Sequence, residues 1–441
     1  MNAENTDPPQ AKSSRPLMII LLTVFLDLVG FSIIFPLFPD MLDYYLAKEP
    51  TGGWLHGLIL QLEQLSGMEG ENARLAATVL FGGLLGSLYS VLQFIAAPIW
   101  GAMSDQRGRR NILVITVAGT ALSYLLWIVA DAFWLLVASR FLGGIMAGNL
   151  SVATAAVADV TDASSRSKGM GMVGAAFGVG FIIGPTLGAL LSLVDLTGPL
   201  GFVPGINPFS APALVAFVMA AVNFYFVYKN FPETFVAADS GHARRPVNPL
   251  AVFQRSPFVG VNRTNLIFFL FIFAFAGMEF TLTFLAKDRF GYTAAKNGLI
   301  FLFLGFIIAL VQGGMVRRLA PKYGEQRLVL IGTALVLPGL LIVGICSTQW
   351  MMYLGLLLLG VGSSLVTPCL TSLVSLYTPE DRQGETLGIF RSLGSLARAM
   401  APLAGAALYW RMGSMWPYVG AAVLLLLPLL ISSGLPKVEK A

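Results

Sequence analysis

Long runs of apolar residues, separated by short polar segments, recur along the whole chain. Each run is close to the roughly 20 residues that an α-helix needs to cross a bilayer. The runs leave few polar positions for the solvent-facing side of a soluble amphipathic helix. The sequence therefore predicts an all-α membrane protein with twelve transmembrane helices, at about 17–38, 75–100, 112–130, 133–157, 169–193, 211–228, 265–285, 294–316, 327–346, 350–376, 387–410 and 416–435.

The first apolar run is predicted to remain in the mature protein. It follows Lys12 and Arg15, no small-residue cleavage site comes after it, and Pro36 and Pro39 close it. A secretory signal peptide would end in such a cleavage site. The run is therefore interpreted as the first span.

Charge is scarce and unevenly distributed between the two sides of the predicted membrane. Only 12% of the residues are charged, and 19 of the 28 lysines and arginines fall in the two tails and in the connections on the same side as the tails. Because positive loops stay cytoplasmic, we expect a multi-pass protein of the cell membrane (inner or plasma) with both termini cytoplasmic. The net charge of +5 then reports topology and indicates no nucleic-acid partner.

The polar segments also divide the chain into two halves. The longest internal polar stretch, with "SGHARRPVNP" at its centre, separates two sets of six spans. We therefore predict a cytoplasmic tail at 1–16, an N-terminal six-helix bundle at 17–228 with a long outer loop at 40–74, a cytoplasmic linker at 229–264, a C-terminal six-helix bundle at 265–435 and a tail at 436–441.

The two halves are self-similar without gaps. Chance alignment of apolar, glycine-rich helices is the alternative explanation, but agreement at Pro and Gly across two spans and their loop favours duplication. Duplicated bundles with a midplane substrate site are typical of alternating-access transporters. An offset of 217 residues matches Gly143 with Gly360, Thr161 with Thr378, Gly171 with Gly388, Pro185 with Pro402, Gly188 with Gly405 and Arg110 with Arg327.

A cluster of charge lies in the short loop between spans 2 and 3. Its two glycines allow a tight turn, and its aspartate can pair with the arginines or stabilise the start of the next helix. The alternative is that the arginines only anchor the loop on the cytoplasmic side. The spacing and the aspartate favour a gate built from Gly101, Asp105, Arg107, Gly108, Arg109 and Arg110.

Span 5 carries a second regular pattern. Glycines every four residues make a smooth face for close helix contact, and a proline permits a bend. A general packing face is the alternative, but the matching span of the second half has Ala397 and Ala401 where this one has glycines. The pattern consists of Gly171, Gly180, Gly184, Pro185 and Gly188.

These motifs together resemble the major facilitator superfamily. The loop cluster is similar to its gate motif, with Gln106 at a usually basic position, and span 5 is similar to its antiporter motif, with Ala189 where a second glycine is usual. Asp27 with Pro36, and Arg140 with the glycines after it, resemble its first-span and fourth-span motifs. The resemblance covers nearly all of the chain and implies the major facilitator fold, with the loop cluster acting as a conformational latch.

Within that superfamily, the chain looks most like the twelve-span drug:proton antiporters. The segments "QFIAAPIWGAMSDQRGRR" and "TPCLTSLVSLYTPEDRQGETLGIFRSLGSLARAMAPL" are similar to tetracycline efflux proteins and to the tetracycline transporter-like group of animals. The resemblance implies export of an organic anion or of a tetracycline-like drug in exchange for protons.

Five ionisable residues fall inside predicted spans. A charged side chain costs about 2.5–3.5 kcal/mol at a span centre, so a functional role is the default. Asp27 and Arg140 enter from opposite sides to overlapping depths, and we predict an ion pair between them; a purely structural pair is the alternative. The five are Asp27, Arg140, Glu279, Arg391 and Arg398.

Glu279 is the predicted proton carrier, with Asp27 as a second proton-coupling residue. Apolar surroundings favour a neutral carboxyl group, whereas an approaching Arg398 favours the ionised form, so protonation would follow helix position. Arg391 and Arg398 lie on one helix face, and either is predicted to meet an anionic group of the substrate. Depth alone adds four further substrate-binding candidates: Gln93, Asn149, Phe31 and Tyr89.

Other functional classes find little support in the sequence. The two histidines lie outside the predicted spans, the chain has no GxSxG motif and no phosphate loop, and its two cysteines form no metal-binding pattern. We therefore expect no enzyme activity, catalytic residue, cofactor or metal site. The outer-loop segment "WLHGLILQLEQL" is predicted to form an interfacial amphipathic helix or an apolar lid on the bundle.

The sequence thus predicts a secondary active transporter of twelve spans. We expect proton-coupled antiport, by alternating access, of an amphipathic organic solute, with a small molecule, protons and the bilayer as partners and the monomer as the working unit. The alternatives are a lipid or metabolite transporter with different coupling, and a membrane receptor that transports nothing.

Overall fold

The computed structural model describes residues 14–50, 52–66, 70–161, 163–234, 254–379 and 382–436. All regular secondary structure in these segments is helical. Most of the predicted tails and the centre of the predicted linker lie outside the described residues. Sixteen α-helices are joined by loops, by a 3₁₀ turn at Phe35–Leu37 and by a π-helical stretch at Val311–Val316.

The N-terminal half contains nine of these helices. The first span consists of two helices joined by the 3₁₀ turn, and the fourth span is likewise divided in two. The helices are α1 (Ser14–Ser32), α2 (Phe38–Lys48), α3 (Trp54–Ser66), α4 (Gly70–Arg107), α5 (Arg109–Ile128), α6 (Phe133–Met146), α7 (Asn149–Val160), α8 (Ala163–Leu191) and α9 (Ser210–Asn230).

The C-terminal half contains the other seven. The π-helical stretch continues α11 before the short α12. The helices are α10 (Val261–Phe290), α11 (Ala294–Leu310), α12 (Arg317–Tyr323), α13 (Glu325–Ile345), α14 (Gln349–Leu376), α15 (Gln383–Met412) and α16 (Trp416–Ser433).

Eleven candidate spans in the described part of the chain are long and apolar enough to cross a membrane. The twelfth predicted span is α15, whose 30 residues include Arg391 and Arg398 and are therefore less apolar. It packs lengthwise along α4 and α10, inside the protein rather than at its edge. The fold is therefore the predicted helical membrane architecture.

The predicted outer loop 40–74 is largely helical. Span 1 continues through α2 to Lys48, and α4 already begins at Gly70. Between them, α3 packs on α4 and buries Leu55 and Ile59 in the core. This packing corresponds to the predicted apolar lid. Trp54 and Leu60 remain exposed on its other side.

Two faces of the molecule are distinguished below. The linker face carries residues 101–110, the end of α9 and the start of α10. The outer-loop face carries α2, α3 and the end of α10. The two bundles meet where α4 packs against α15 and where α8 packs against α11, and these two contacts are related by the predicted two-fold pseudo-symmetry of the halves.

The glycines of span 5 form a contact face toward α1. A Cβ atom on Gly180 would lie 3.0 Å from the Leu28 Cβ atom, and one on Gly184 would lie 2.7 Å from the Val29 carbonyl oxygen. A Cβ atom on Gly188 would collide with the Ile33 carbonyl group. Larger residues would push α8 away from α1, so this part of the pattern serves close packing. Gly171 and Pro185 lie in the same helix, α8.

Local geometry supports the internal repeat and refines its register. Thr161 and Thr378, 217 residues apart, each donate a hydroxyl hydrogen bond to the carbonyl four residues earlier. Gly108 and Gly324 begin α5 and α13 with nearly the same backbone angles, φ 91° and 83° with ψ 147°, but they are 216 residues apart. At this turn the register is one residue shorter, so Arg110 matches Gln326 and its predicted match to Arg327 is wrong.

Candidate transport site

A cavity of about 500 Å³ lies between the two bundles. Along α10 its wall extends from Phe268 to Glu279, about 16 Å at 1.5 Å per residue. It reaches the linker-face ends of α14 and α15 at Leu376 and Leu387. It therefore extends from the membrane interior toward the linker face.

Aromatic and hydroxyl side chains make up much of the wall. Helices α10, α11, α14 and α15 supply most of it, and α8 closes the remaining side. A mostly apolar wall with a few convergent polar groups is typical of a small-molecule site. The wall includes Phe181, Phe268, Phe271, Phe275, Phe301, Phe390, Ser363, Thr367, Thr371 and Ser395.

The structure brings three predicted charged residues together in this cavity. Glu279, Arg391 and Arg398 all line it. Glu279 is only 7% exposed, and its Oε2 atom lies 3.9 Å from the Arg398 Nη1 atom. This separation is at the outer limit of an ion pair and longer than a hydrogen bond. The carboxyl group thus has a cationic neighbour that a small helix movement could bring closer or remove.

Both arginines also contact the N-terminal bundle. The Arg398 guanidinium stacks 4.4 Å from the ring centre of Phe181, in a cation–π geometry. A Cβ atom on Gly174 would lie 2.7 Å from the Arg391 Nη2 atom, so the absence of a side chain there leaves space for the guanidinium. Two cations from one bundle therefore rest on helix α8 of the other.

The four candidates chosen by depth do not line this cavity, and their predicted place in the substrate site is corrected. Phe31 and Tyr89 stack on each other, with ring centres 4.6 Å apart, behind Phe181. Gln93 and Asn149 line a much smaller pocket beside Asp27. Depth along a helix does not determine which way a side chain faces.

The predicted ion pair between Asp27 and Arg140 is not formed in this structure. Arg140 is buried among three aromatic rings, those of Tyr89, Tyr124 and Trp127, and lies 4.8 Å from the Trp127 ring centre. Asp27 is also buried, and its carboxyl group faces Asn149 instead. Arg140 projects from α6 toward α4 and α5, which carry the rings, whereas Asp27 projects toward α7.

The charged loop forms a compact cluster on the linker face. Gly108 begins α5 with a φ of +91°, a conformation that favours glycine. Arg109 is only 6% exposed; it pairs with Asp105 and with Asp159 at 2.9 Å. Arg110 donates a hydrogen bond of 2.7 Å to the Tyr228 carbonyl.

The remaining gate residues lie around this cluster. Arg107 is exposed at the end of α4. A Cβ atom on Gly101 would make only ordinary contact, 3.6 Å from the Ser151 hydroxyl. All the partners named for the cluster belong to the N-terminal bundle.

Sequence reasoning missed two acidic residues of this cluster. Asp159 ends α7, and Glu233 follows α9 and accepts hydrogen bonds from the backbone N–H groups of Arg109 and Arg110. Their signal was a carboxylate at the linker-face end of a span, opposite a basic loop. Gln312 was also missed; it lies in the π-helical stretch and lines the cavity, and π-helical turns are frequent at functional sites.

Comparisons with known proteins agree with this architecture. The family model described as Major Facilitator Superfamily matches residues 20–402 and 315–439. The chain is 37% identical to the bovine (Bos taurus) protein named Major facilitator superfamily domain-containing protein 10, over 95% of this chain and 92% of that protein. It is 28% identical to the class C tetracycline resistance protein of Escherichia coli, over 94% and 96% of the two chains.

A solved structure is similar over nearly the whole length. The crystal structure of the human organic anion transporter MFSD10 (TETRAN) superposes with a TM-score of 0.74 at 33% identity, and the match covers 97% of this chain and 100% of that one. These relatives are transporters rather than enzymes. The chain described here therefore belongs to the major facilitator superfamily and is a multi-pass membrane transporter of a small molecule.

Proposed function

We propose that this protein exports an amphipathic organic anion in exchange for protons, with Glu279 as the proton carrier. The observation that carries the proposal is the meeting of one buried carboxyl group and two guanidinium groups in a cavity between the bundles. The bovine and human relatives share at least a third of their residues with this chain, and the human one is described as an organic anion transporter.

The charges of the cavity suggest how the two fluxes are coupled. When Glu279 is ionised it neutralises Arg398, and less positive charge remains to attract an anion. When Glu279 is protonated, Arg398 and Arg391 are available together for a carboxylate, sulfate or similar group on the solute. The phenylalanines of the wall suit the apolar body of such a solute. Proton and anion would therefore bind together or leave together unless the cavity faces a different side for each.

Antiport requires that the two ligands bind on opposite sides of the membrane. The basic residues of the linker face place it in the cytoplasm, so the present cavity would be open for loading the solute. The solute would displace Glu279 from Arg398 as it binds. Release on the far side would free Arg398 to pair again with Glu279 after the inward passage of the proton. The lipid-embedded monomer contains all the residues that this cycle uses.

Reconstituted vesicles with an imposed pH gradient test this proposal. The wild-type protein should accumulate aromatic carboxylates in inside-out vesicles that are acidic inside, and the corresponding amides should not accumulate. Glu279→Gln should abolish the pH-driven accumulation while keeping solute exchange, because a neutral amide cannot exchange a proton. Asp288→Asn is the matched control, because Asp288 is an exposed carboxylate on the same helix outside the cavity.

The same assay separates the alternatives. Intact proton-driven accumulation in Glu279→Gln would overturn the role of Glu279. Accumulation driven by another ion gradient would favour different coupling, and a bound solute that never crosses the membrane would favour a receptor. Arg391→Gln should weaken binding of the carboxylate and leave binding of its amide unchanged.

A further inference from the structure

A small polar pocket adjoins Asp27 in the middle of the N-terminal bundle. Its volume is about 10 Å³, close to the space that one water molecule needs. Polar groups from α1, α4 and α7 surround it. The lining consists of Thr23, Val24, Asp27, Leu28, Gln93, Asn149 and Leu150.

The polar groups of the pocket are arranged around an unoccupied hydrogen-bonding position. The Thr23 hydroxyl donates to Asn223 at 2.9 Å, so its lone pairs remain available. Asn149 is only 2% exposed and faces Asp27, yet neither atom of its amide makes a hydrogen bond of normal geometry. An unsatisfied buried amide is costly, and a water molecule bonded to Asp27 and Asn149 would satisfy it.

A break in span 4 positions this pocket. Helix α6 ends at Met146 and α7 begins at Asn149. Side chains of α4 satisfy carbonyl groups beside the break: Gln93 donates to Ala147 at 3.1 Å, and Trp100 donates to Ile145 at 2.7 Å. The Trp100 ring also fills the space that a side chain on residue 148 would need. The break is therefore a supported feature of the fold and a natural hinge.

Leu150 stands between this pocket and the transport cavity. It follows Asn149 in the first turn of α7 and lines both spaces. The other lining residues of the small pocket are absent from the cavity wall. The charged and titratable groups near Asp27 are Tyr89 of α4, Tyr124 of α5 and Arg140 of α6, and both tyrosines interact electrostatically with Asp27 and with Arg140.

We propose that Asp27 and its one-water pocket form a second proton-exchange site, which Leu150 closes off from the transport cavity. This inference rests on the proposed proton coupling and adds its gate. When α7 turns at the Ala147–Gly148 break, Leu150 moves aside. The Asp27 O–H bond then breaks, a new O–H bond forms on the water, and a hydronium ion leaves for the cavity while the carboxylate remains.

Chemical labelling of the two carboxyl groups tests the barrier directly. Dicyclohexylcarbodiimide modifies protonated carboxyl groups in apolar surroundings, and peptide mass spectrometry measures each site separately. In the wild-type protein Glu279 should react several-fold faster than Asp27. Leu150→Ala should raise the rate at Asp27 several-fold and leave the rate at Glu279 unchanged. Leu304→Ala is the matched control, because Leu304 lines the cavity but not the small pocket.

Equal labelling of Asp27 in wild-type protein and Leu150→Ala would overturn the barrier. Leu150→Val removes less volume and should give a smaller change in the same direction, which keeps the test valid if the alanine variant does not fold. Labelling requires no transport. It therefore remains informative even if Glu279→Gln retains proton-driven export and the proposed function fails.

A proton-leak measurement tests the exchange itself. Vesicles containing Leu150→Ala should dissipate a pH gradient faster than wild-type vesicles in the absence of solute, because Asp27 then exchanges with the cavity in every conformation. Adding Asp27→Asn to Leu150→Ala should return the leak to the wild-type rate. A leak that persists in the double variant would show that the protons do not pass through Asp27 and would overturn the proposal.

Discussion

The outer-loop face and the linker face hold their charged groups in different ways. On the outer-loop face the bonds cross between the bundles: Lys287 of α10 binds Asp40 and Asp43 of α2, and Trp410 of α15 donates to the Leu62 carbonyl of α3. On the linker face the gate cluster is bonded within the N-terminal bundle. Contacts that cross the boundary must break when the outer-loop face opens, whereas contacts within one bundle can persist.

Gly83→Leu should have the largest effect on this comparison, because it prevents closure of the outer-loop face. A Cβ atom at this position would already lie 2.9 Å from the Pro402 carbonyl oxygen and would collide with Ala406. Overpacking costs about 1–3 kcal/mol, so transport should fall about tenfold or more. Vesicle transport measures the loss.

Gly86→Ala is the control for this variant. A Cβ atom on Gly86 would meet only the Phe280 ring, at 3.6 Å, so transport should stay near the wild-type rate. Normal transport by a folded Gly83→Leu protein would mean that α4 and α15 need not approach closely there.

Asp159→Asn should lower the stability of the linker-face cluster. It weakens the 2.9 Å ion pair with the nearly buried Arg109, and hydrogen bonds to charged groups contribute about 1.5–3 kcal/mol. Thermal unfolding in detergent should therefore occur at a lower temperature. Asp105→Asn should cost only about 0.3–0.5 kcal/mol, as expected for an exposed i,i+4 pair. Equal costs would show that Asp159 is no more an anchor than Asp105.

Asp40→Asn should shift the protein toward the state that is open at the outer-loop face. Asp40 accepts from Lys287 at 2.9 Å and from the Ala294 N–H at 2.8 Å. Because both partners are partly exposed, we expect a shift of about 1 kcal/mol, which is a factor of about five.

A cysteine at Ser395 in the cavity would report this shift, since Cys346 and Cys369 are buried. Its labelling by an impermeant maleimide from the linker face should slow in Asp40→Asn. Asp43→Asn, with a 61% exposed side chain, should change the rate less. Faster labelling in Asp40→Asn would contradict the assignment of this contact as a closing one.

Trp410→Phe should have the smallest effect. The variant keeps most of the apolar ring and loses only the 3.0 Å bond to the Leu62 carbonyl, which contributes about 0.5 kcal/mol at a partly exposed site. The same maleimide assay should show a change of less than about twofold. A change as large as that of Asp40→Asn would make α3 a principal clamp between the bundles.

Apolar run length predicted the fold because the bilayer imposes one length on every span. The same reasoning found Glu279 and Arg398, since an ionisable residue inside a span is exceptional. It placed Arg140 beside Asp27 because it considered depth and not direction. It also gave Gln93 and Asn149 to the substrate site, because nothing in the sequence marks a helix break at residues 147–148 that turns Asn149 toward Asp27.

Carboxylates that act at a distance along the chain were equally hard to foresee. Glu233 binds the start of α5 across more than a hundred residues, and only folding brings the two together. The helical extent of the outer loop was missed for another reason: its polar residues face solvent while Leu55 and Ile59 pack inward, so it lacks the uniform apolar character of a span.

The cavity wall is contributed unequally by the two bundles, with α8 and Leu150 alone representing the N-terminal half. A bound solute would thus travel mainly as a passenger of the C-terminal half. Substitutions in α14 and α15 could then retune selectivity without disturbing the glycine seam between α1 and α8. Chimeras that exchange only the C-terminal half between relatives should inherit the solute preference of that half.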